Sequence, residues 1–255
     1  MSERSEFTDS AGVPWEGRNF SENKFASDNG LADELLMAAI NKFQAGTGTA
    51  EHVIAAFAEA RLLIPLIANL GESGEGAHGL TVDKSADLSI VTVRTPDGQT
   101  ALPVFSSVEA MSNWNPQARP VPNFGRQVAF AAASEGNTRI VLDPMAPSEF
   151  VIRRPGIAHL AQGFEWIAPD KHPEVAEIIQ FELGKFDIVD SFALVSGDPE
   201  YRLRGQELVI ELYLEEGLSQ DRLRTFEQEF FGNISQSGKF VELVDSVAVK
   251  FLTAI

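Results

Sequence analysis

Hydrophobic and polar positions along the chain follow two rhythms. In the slower one, apolar residues return every three to four positions, as on one face of a helix. Leu36, Ile40 and Phe43 do so over a helix expected from about Leu31 to Phe43. Gly46 and Gly48 interrupt it, and Thr49 then offers an N-cap to a helix carrying Val53, Ile54 and Phe57, with Glu51 in its first turn. The same spacing recurs at Phe124, Val128 and Ala131, in "GIAHLAQG", and at Ala176, Ile179, Leu183 and Phe186. Near the C-terminus it recurs at Leu223, Phe226 and Phe230, where Ser219 supplies a cap and Gly232 an expected stop.

The faster rhythm is that of strands. "ELVIELYL" alternates cleanly, with Leu208, Ile210, Leu212 and Leu214 on one face. "RLLIPLIA" reads as a buried strand that Pro65 confines to a sheet edge or a bulge, because proline has no N–H for a ladder. "LSIVTVRT" and "QTALPVF" form a hairpin around Pro96-Asp97-Gly98: proline presets the turn and glycine accepts positive φ. "RIVLDP", "EFVIRR", "IVDSFALV" and "VELVDSVAVKFL" read as further strands.

Punctuation divides these elements. Residues 1–30 are polar and aperiodic and read as a tail, with Trp15 and Phe20 as points that could pin it to the body. "NLGESGEGAHG" is a glycine-rich loop without the GxxxxGK[ST] order of a phosphate cradle. "APDKHP", Ala168 to Pro173, is the expected domain boundary. The expected fold class is α+β, built from two small mixed α/β domains. One covers 31–167; the other covers 168–255 in the order α-β-β-α-β.

Composition narrows the function. The formal net charge is -17, and no dense Lys/Arg cluster interrupts it; Arg153-Arg154 and Arg222/Arg224 come nearest. Such a field repels phosphate backbones and anionic membranes, so neither nucleic acid nor membrane is expected as a partner. From Ala168 onward 17 acidic residues face 8 basic ones, so a basic protein partner fits this half best. There is no cysteine, which excludes disulfides, thiolate nucleophiles and cysteine-based zinc or iron–sulfur sites. No apolar leader and no spanning run stand out, and a cytoplasmic location is expected.

The stretch "ALPVFSSVEAMSNWNP" gathers the strongest local signals. Ser106 followed by Glu109 spells a capping box, and Asn115-Pro116 ends the helix. "FSSVE" lacks the glycines of a nucleophile elbow, so a cap explains the serines better than catalysis. Val108, Met111 and Trp114 are spaced to share the inner side of this helix. His52, His78, His159 and His172 lie in different segments, without HxH or HExxH spacing, and no metal or organic cofactor is expected. Asp143-Pro144 reads as a turn, Lys84 with Asp87 as a solvated pair, and Glu215, Glu216, Glu227 and Glu229 as solvated faces.

The path "ARLLIPLIA … GLTVDKSADLSIVTVRTPDGQTALPVFSSVEAMSNWNPQARPVP … RIVLDP … FVIRR" resembles the SseB protein N-terminal domain over roughly Leu31 to Phe164. Its most specific part runs from Leu102 to Trp114, and "GVPWEGRNF" is similar to what precedes that domain in actinobacterial members. Residues 174–255 resemble the family's C-terminal domain, although they end in "FLTAI" rather than Pro-Phe-Tyr. The resemblance implies a cytoplasmic bacterial protein associated with serine sensitivity, with no catalytic residue to carry over. The family's association with a sulfurtransferase does not extend that chemistry to a chain without cysteine. The expected function is therefore a non-catalytic protein-interaction module, with Trp114, Trp15, Glu215 and Glu216 as candidate partner-binding residues. The alternative is a hydrolase or transferase whose site assembles from loops 71–88 and 143–149.

Overall fold

The computed structural model describes residues 25–69, 87–215 and 217–253. Helix α1 (Glu34–Gln44) starts three residues later than its apolar stripe suggests, because Asp33 caps it by accepting from the amides of Leu35 and Leu36. Leu36 and Ile40 turn inward against α2 (Ala50–Glu59), which buries Val53, Ile54 and Phe57.

Strand β1 (Arg61–Asn69) is the middle strand of a sheet ordered β2-β1-β5, with β2 Asp87–Ile90 and β5 Arg119–Phe124. Pro65 therefore lies in a central strand, not at the expected edge. The register explains how. Leu63 exchanges both backbone hydrogen bonds with Phe105, and β2 joins that same side of β1 only from Leu66 onward. The missing N–H of Pro65 falls in the gap between the two partners, so no ladder bond is lost. Pro120 and Pro122 sit opposite Pro65 and Leu63, at outward-facing positions of edge strand β5.

The second sheet is ordered β3-β4-β6-β7, with β3 Val93–Arg94, β4 Thr100–Val104, β6 Arg139–Leu142 and β7 Phe150–Arg153. The run "LSIVTVRT" splits between the two sheets, and only its end forms the hairpin with β4, turning at Gly98 with φ +79°. β4 and β6 are parallel, and between them the chain passes through α3 (Val108–Trp114), β5 and α4 (Gly125–Ser134). A Cβ at Gly125 would stand 1.7 Å from the carbonyl oxygen of Phe57, so only glycine lets α4 start against α2. Helix α5 (Arg154–Gln162) continues directly from β7 and packs on α4.

A turn of 3₁₀ helix at Pro169–Lys171 leads to α6 (Pro173–Leu183), β8 (Val189–Ser196) and β9 (Leu208–Leu214). Helix α7 (Gln220–Gln236) does not stop at Gly232: Phe226, Phe230 and Ile234 continue one buried stripe through it. The residues after it are not all strand, as expected, but a short α8 (Gly238–Leu243) and then β10 (Val247–Thr253). Ser237 caps α8 by accepting from the amide of Phe240, and Phe240 and Leu243 are buried. The order is thus α-β-β-α-α-β, with sheet order β10-β9-β8. The fold is α+β.

Buried side chains gather into two large clusters. One holds α1, α2, α4, α5 and the first two sheets, and ends at Trp166 and Ala168. The other begins at Val175 and holds α6–α8 against one face of the third sheet. Tyr201 is the exception: it leaves the β8–β9 loop and enters the first cluster.

Candidate functional site

Arg139 opens β6 and Arg153 closes β7, and the register sets the two directly opposite each other. Like charges in that position repel, so a counter-charge has to come from elsewhere in the chain. Asp245, in the turn after α8, supplies it. Its carboxylate takes Arg139 through two parallel bonds of 2.8 and 2.7 Å and lies 3.5 Å from Arg153. Asp97 of the hairpin turn holds the other side of Arg139 at 2.9 Å, and Asp198 holds Arg153 at 2.8 Å. Both arginine side chains are 5% exposed. The network thus ties residues of the first half to the second, across a cavity of about 590 Å³ that Arg154, Arg204 and Gln206 also line.

Asp198 also shapes the loop that carries Tyr201. Its two oxygens accept from the amides of Arg202, Leu203 and Arg204. This holds Tyr201 and Leu203 at φ +53° and +57°, which side chains with a Cβ rarely adopt. Tyr201 then stacks on Phe150, 5.0 Å between ring centroids, and meets Phe43 and Trp166 edge-on. Glu207 sits behind the network and accepts from the Asp245 amide at 2.6 Å. Burial pushes its carboxyl up to about 7, and the Asp245 carboxylate adds to that while Arg153 and Arg139 oppose it.

A second polar knot lies at the end of β6. Asp143, fully buried with φ +46°, accepts from the Ser106 amide at 2.8 Å and from the hydroxyls of Ser106 and Ser148 at 2.7 and 2.8 Å. Ser106 is therefore not the cap of α3. Ser107 is, accepting from the Ala110 amide at 3.1 Å. The expected capping box gives way to a simple serine cap, because Asp143, distant in sequence, claims Ser106 and the third position after Ser107 is Ala110, with no carboxylate to reach back. The turn expected at Asp143-Pro144 is present, closed by the Ala146 amide on the Asp143 carbonyl.

On the second half, Phe186, Ile188 and Phe226 form the floor of a groove of about 310 Å³. Its rim carries Asp187, Asp221 and Glu229 against one cation, Arg222, which is engaged with Asp187 at 3.0 Å. An apolar floor under excess negative charge suits an apolar side chain flanked by basic ones.

Of the residues singled out in the sequence, Trp114 is half-buried, its ring 5.2 Å from that of Phe105 and packed with Leu63 and Met111. Val108 does not join them and stays 40% exposed, beside Gly30. Glu215 is exposed at the end of β9, and its amide donates to the carbonyl of Ile188 in the groove floor. Trp114 and Glu215 thus belong to different halves. Trp15, Glu216, Phe20, His78 and Lys84 lie outside the described residues, as does most of loop 71–88. Among the described residues, no group of three or more His, Asp or Glu side chains is placed to hold a metal ion. No described helix is long and apolar enough to cross a membrane. The arginine–aspartate network was not foreseen. Its signal was an arginine abutting a wholly apolar run, in "RIVL" and "FVIR", where both faces of the strand are buried.

Comparison with known proteins agrees with the motif-bearing part of the chain. The model of the SseB protein N-terminal domain matches residues 36–159, from α1 to within α5. No curated protein and no solved structure matches the chain. The match covers both β-sheets of the first half, including Phe105, Ser106, Trp114 and Asp143, and so the chain carries an SseB protein N-terminal domain.

Proposed function

We propose that this chain is a non-catalytic protein-interaction module, and that its second half receives a basic segment of a partner protein. The observation that carries this reading is the groove of Phe186, Ile188 and Phe226 under the carboxylates of Asp187, Asp221 and Glu229. Glu215, singled out for its charge, lies beside that groove. Three buried carboxylates elsewhere are committed to structure: Asp143 to two serines, Asp198 to Arg153 and a loop, Asp245 to Arg139. A carboxylate so engaged organises the fold rather than moving protons.

The test is selection of peptides from a random display library by the immobilised full chain. Enrichment of sequences with Lys or Arg flanking an apolar residue is expected, with binding lost in Asp221→Lys/Glu229→Lys. Enrichment of acidic sequences, or binding unchanged by the double variant, would contradict the reading.

A further inference from the structure

The third sheet has two faces, and helices α6–α8 cover one of them. Leu208, Ile210, Leu212 and Leu214 of β9, with Phe192 and Leu194 of β8 and Val247 and Val249 of β10, face α6–α8. The register fixes what lies on the other side. Val195, Val209 and Ala248 stand in one row, and Ala193, Glu211 and Lys250 in the next. Ser191, Tyr213 and Leu252 form the third. Six of these nine positions are apolar or aromatic, and among the described residues none of the six belongs to a core cluster. At the centre Lys250 donates to Glu211 at 2.9 Å, with the lysine side chain 58% exposed, so the face is open to solvent there.

We propose that a second copy of this chain docks on this open face, the two sheets stacking about a two-fold axis that passes between β9 and β10. Charge selects the occupant. A partner surface of one sign would satisfy Glu211 or Lys250 and repel the other. A second copy turned about that axis sets Glu211 over Lys250 and Lys250 over Glu211, while Val209 and Tyr213 cover Ala248 and Leu252. Such an isologous contact is the commonest route to a dimer, and aligned stacking is a standard way for two sheets to pack. With β9 over β10 and β10 over β9, the overlap measures roughly 10 Å across two strands and 17 Å along five residues. That area puts the contact in the weak, transient class, to be sought at protein concentrations up to about 500 µM.

Sedimentation velocity on the full chain across that concentration range tests this. The wild-type chain should pass from monomer to dimer. Glu211→Lys makes the face all-positive and Lys250→Glu makes it all-negative, so each variant alone should remain monomeric. Their equimolar mixture should recover the dimer. Tyr213→Ser, which changes no charge, should weaken self-association at least tenfold. A wild-type chain that stays monomeric at 500 µM overturns the proposal. So do variants that dimerise like wild type, or a mixture that fails to recover what each variant lost.

Discussion

Trp114 shows how much a single side chain can decide. Its indole packs on Phe105 and Met111 but keeps part of its surface in water. Full burial would make Trp114→Ala cost about 3–5 kcal/mol; half-burial brings the expected loss to about 2 kcal/mol. Equilibrium urea unfolding measures it, and an unshifted midpoint would recast the residue as a contact kept for a partner. Glu207 makes a sharper statement. Its carboxyl titrates near 7 in the folded chain, against about 4.3 for an unperturbed glutamate. The folded state therefore holds a proton that the unfolded chain releases earlier. This residue's contribution is greatest below the unfolded value, falls as pH rises from about 4.3 to about 7, and is flat above. The loss is on the order of 3 kcal/mol. Glu207→Gln stays neutral and can still accept from the Asp245 amide. It should be more stable than wild type at pH 8 and nearly equal to it at pH 4. An equal difference at both pH values would show that Glu207 does not titrate in this window.

At the scale of elements, α7 offers the cleanest test. Gly232 lies inside the helix, and a Cβ there meets nothing within 4 Å. Gly232→Ala should raise stability by about 0.5–1 kcal/mol through helix propensity, read as a higher urea midpoint. No change, or a loss, would mean the helix does break there. Local patterns made much of the fold legible. The alternation of β9 places Leu208, Ile210, Leu212 and Leu214 in the core as read, and the Pro96-Asp97-Gly98 hairpin forms. Illegible were features whose cause lies far along the chain. Pro65 is tolerated centrally because Phe105 and β2 leave a gap for it. Ser106 is diverted from its helix by an aspartate 37 residues away. The groove is the same kind of case, since Phe186, Ile188, Asp221 and Glu229 converge from separate elements. Only its charge showed in the sequence, as an excess of acids without a location.

For the whole molecule, two apolar clusters meet at a seam of charge, which Tyr201 crosses to enter the first cluster and Leu203 crosses to pack on Ala101, Val141 and Val151. We propose that the two halves fold separately and join near residues 168–173. Limited proteolysis there should leave two folded fragments that co-elute. Asp245→Asn should separate them, because it weakens the bidentate hold on Arg139 and leaves Arg139 and Arg153 facing each other. Fragments that both unfold would show one indivisible core instead.

The functional account rests on the acid-rimmed groove, and charge gives it a kinetic signature. A basic peptide obtained by selection on the full chain should associate faster at low ionic strength, because the excess carboxylates steer it. The decisive measurement is its association rate constant between 20 and about 500 mM salt, for wild type and for Asp221→Lys/Glu229→Lys. The account predicts a rate that falls at least tenfold for wild type and a flat, slow rate for the double variant. A wild-type rate that does not depend on salt, or a steep dependence that survives the double substitution, would contradict it.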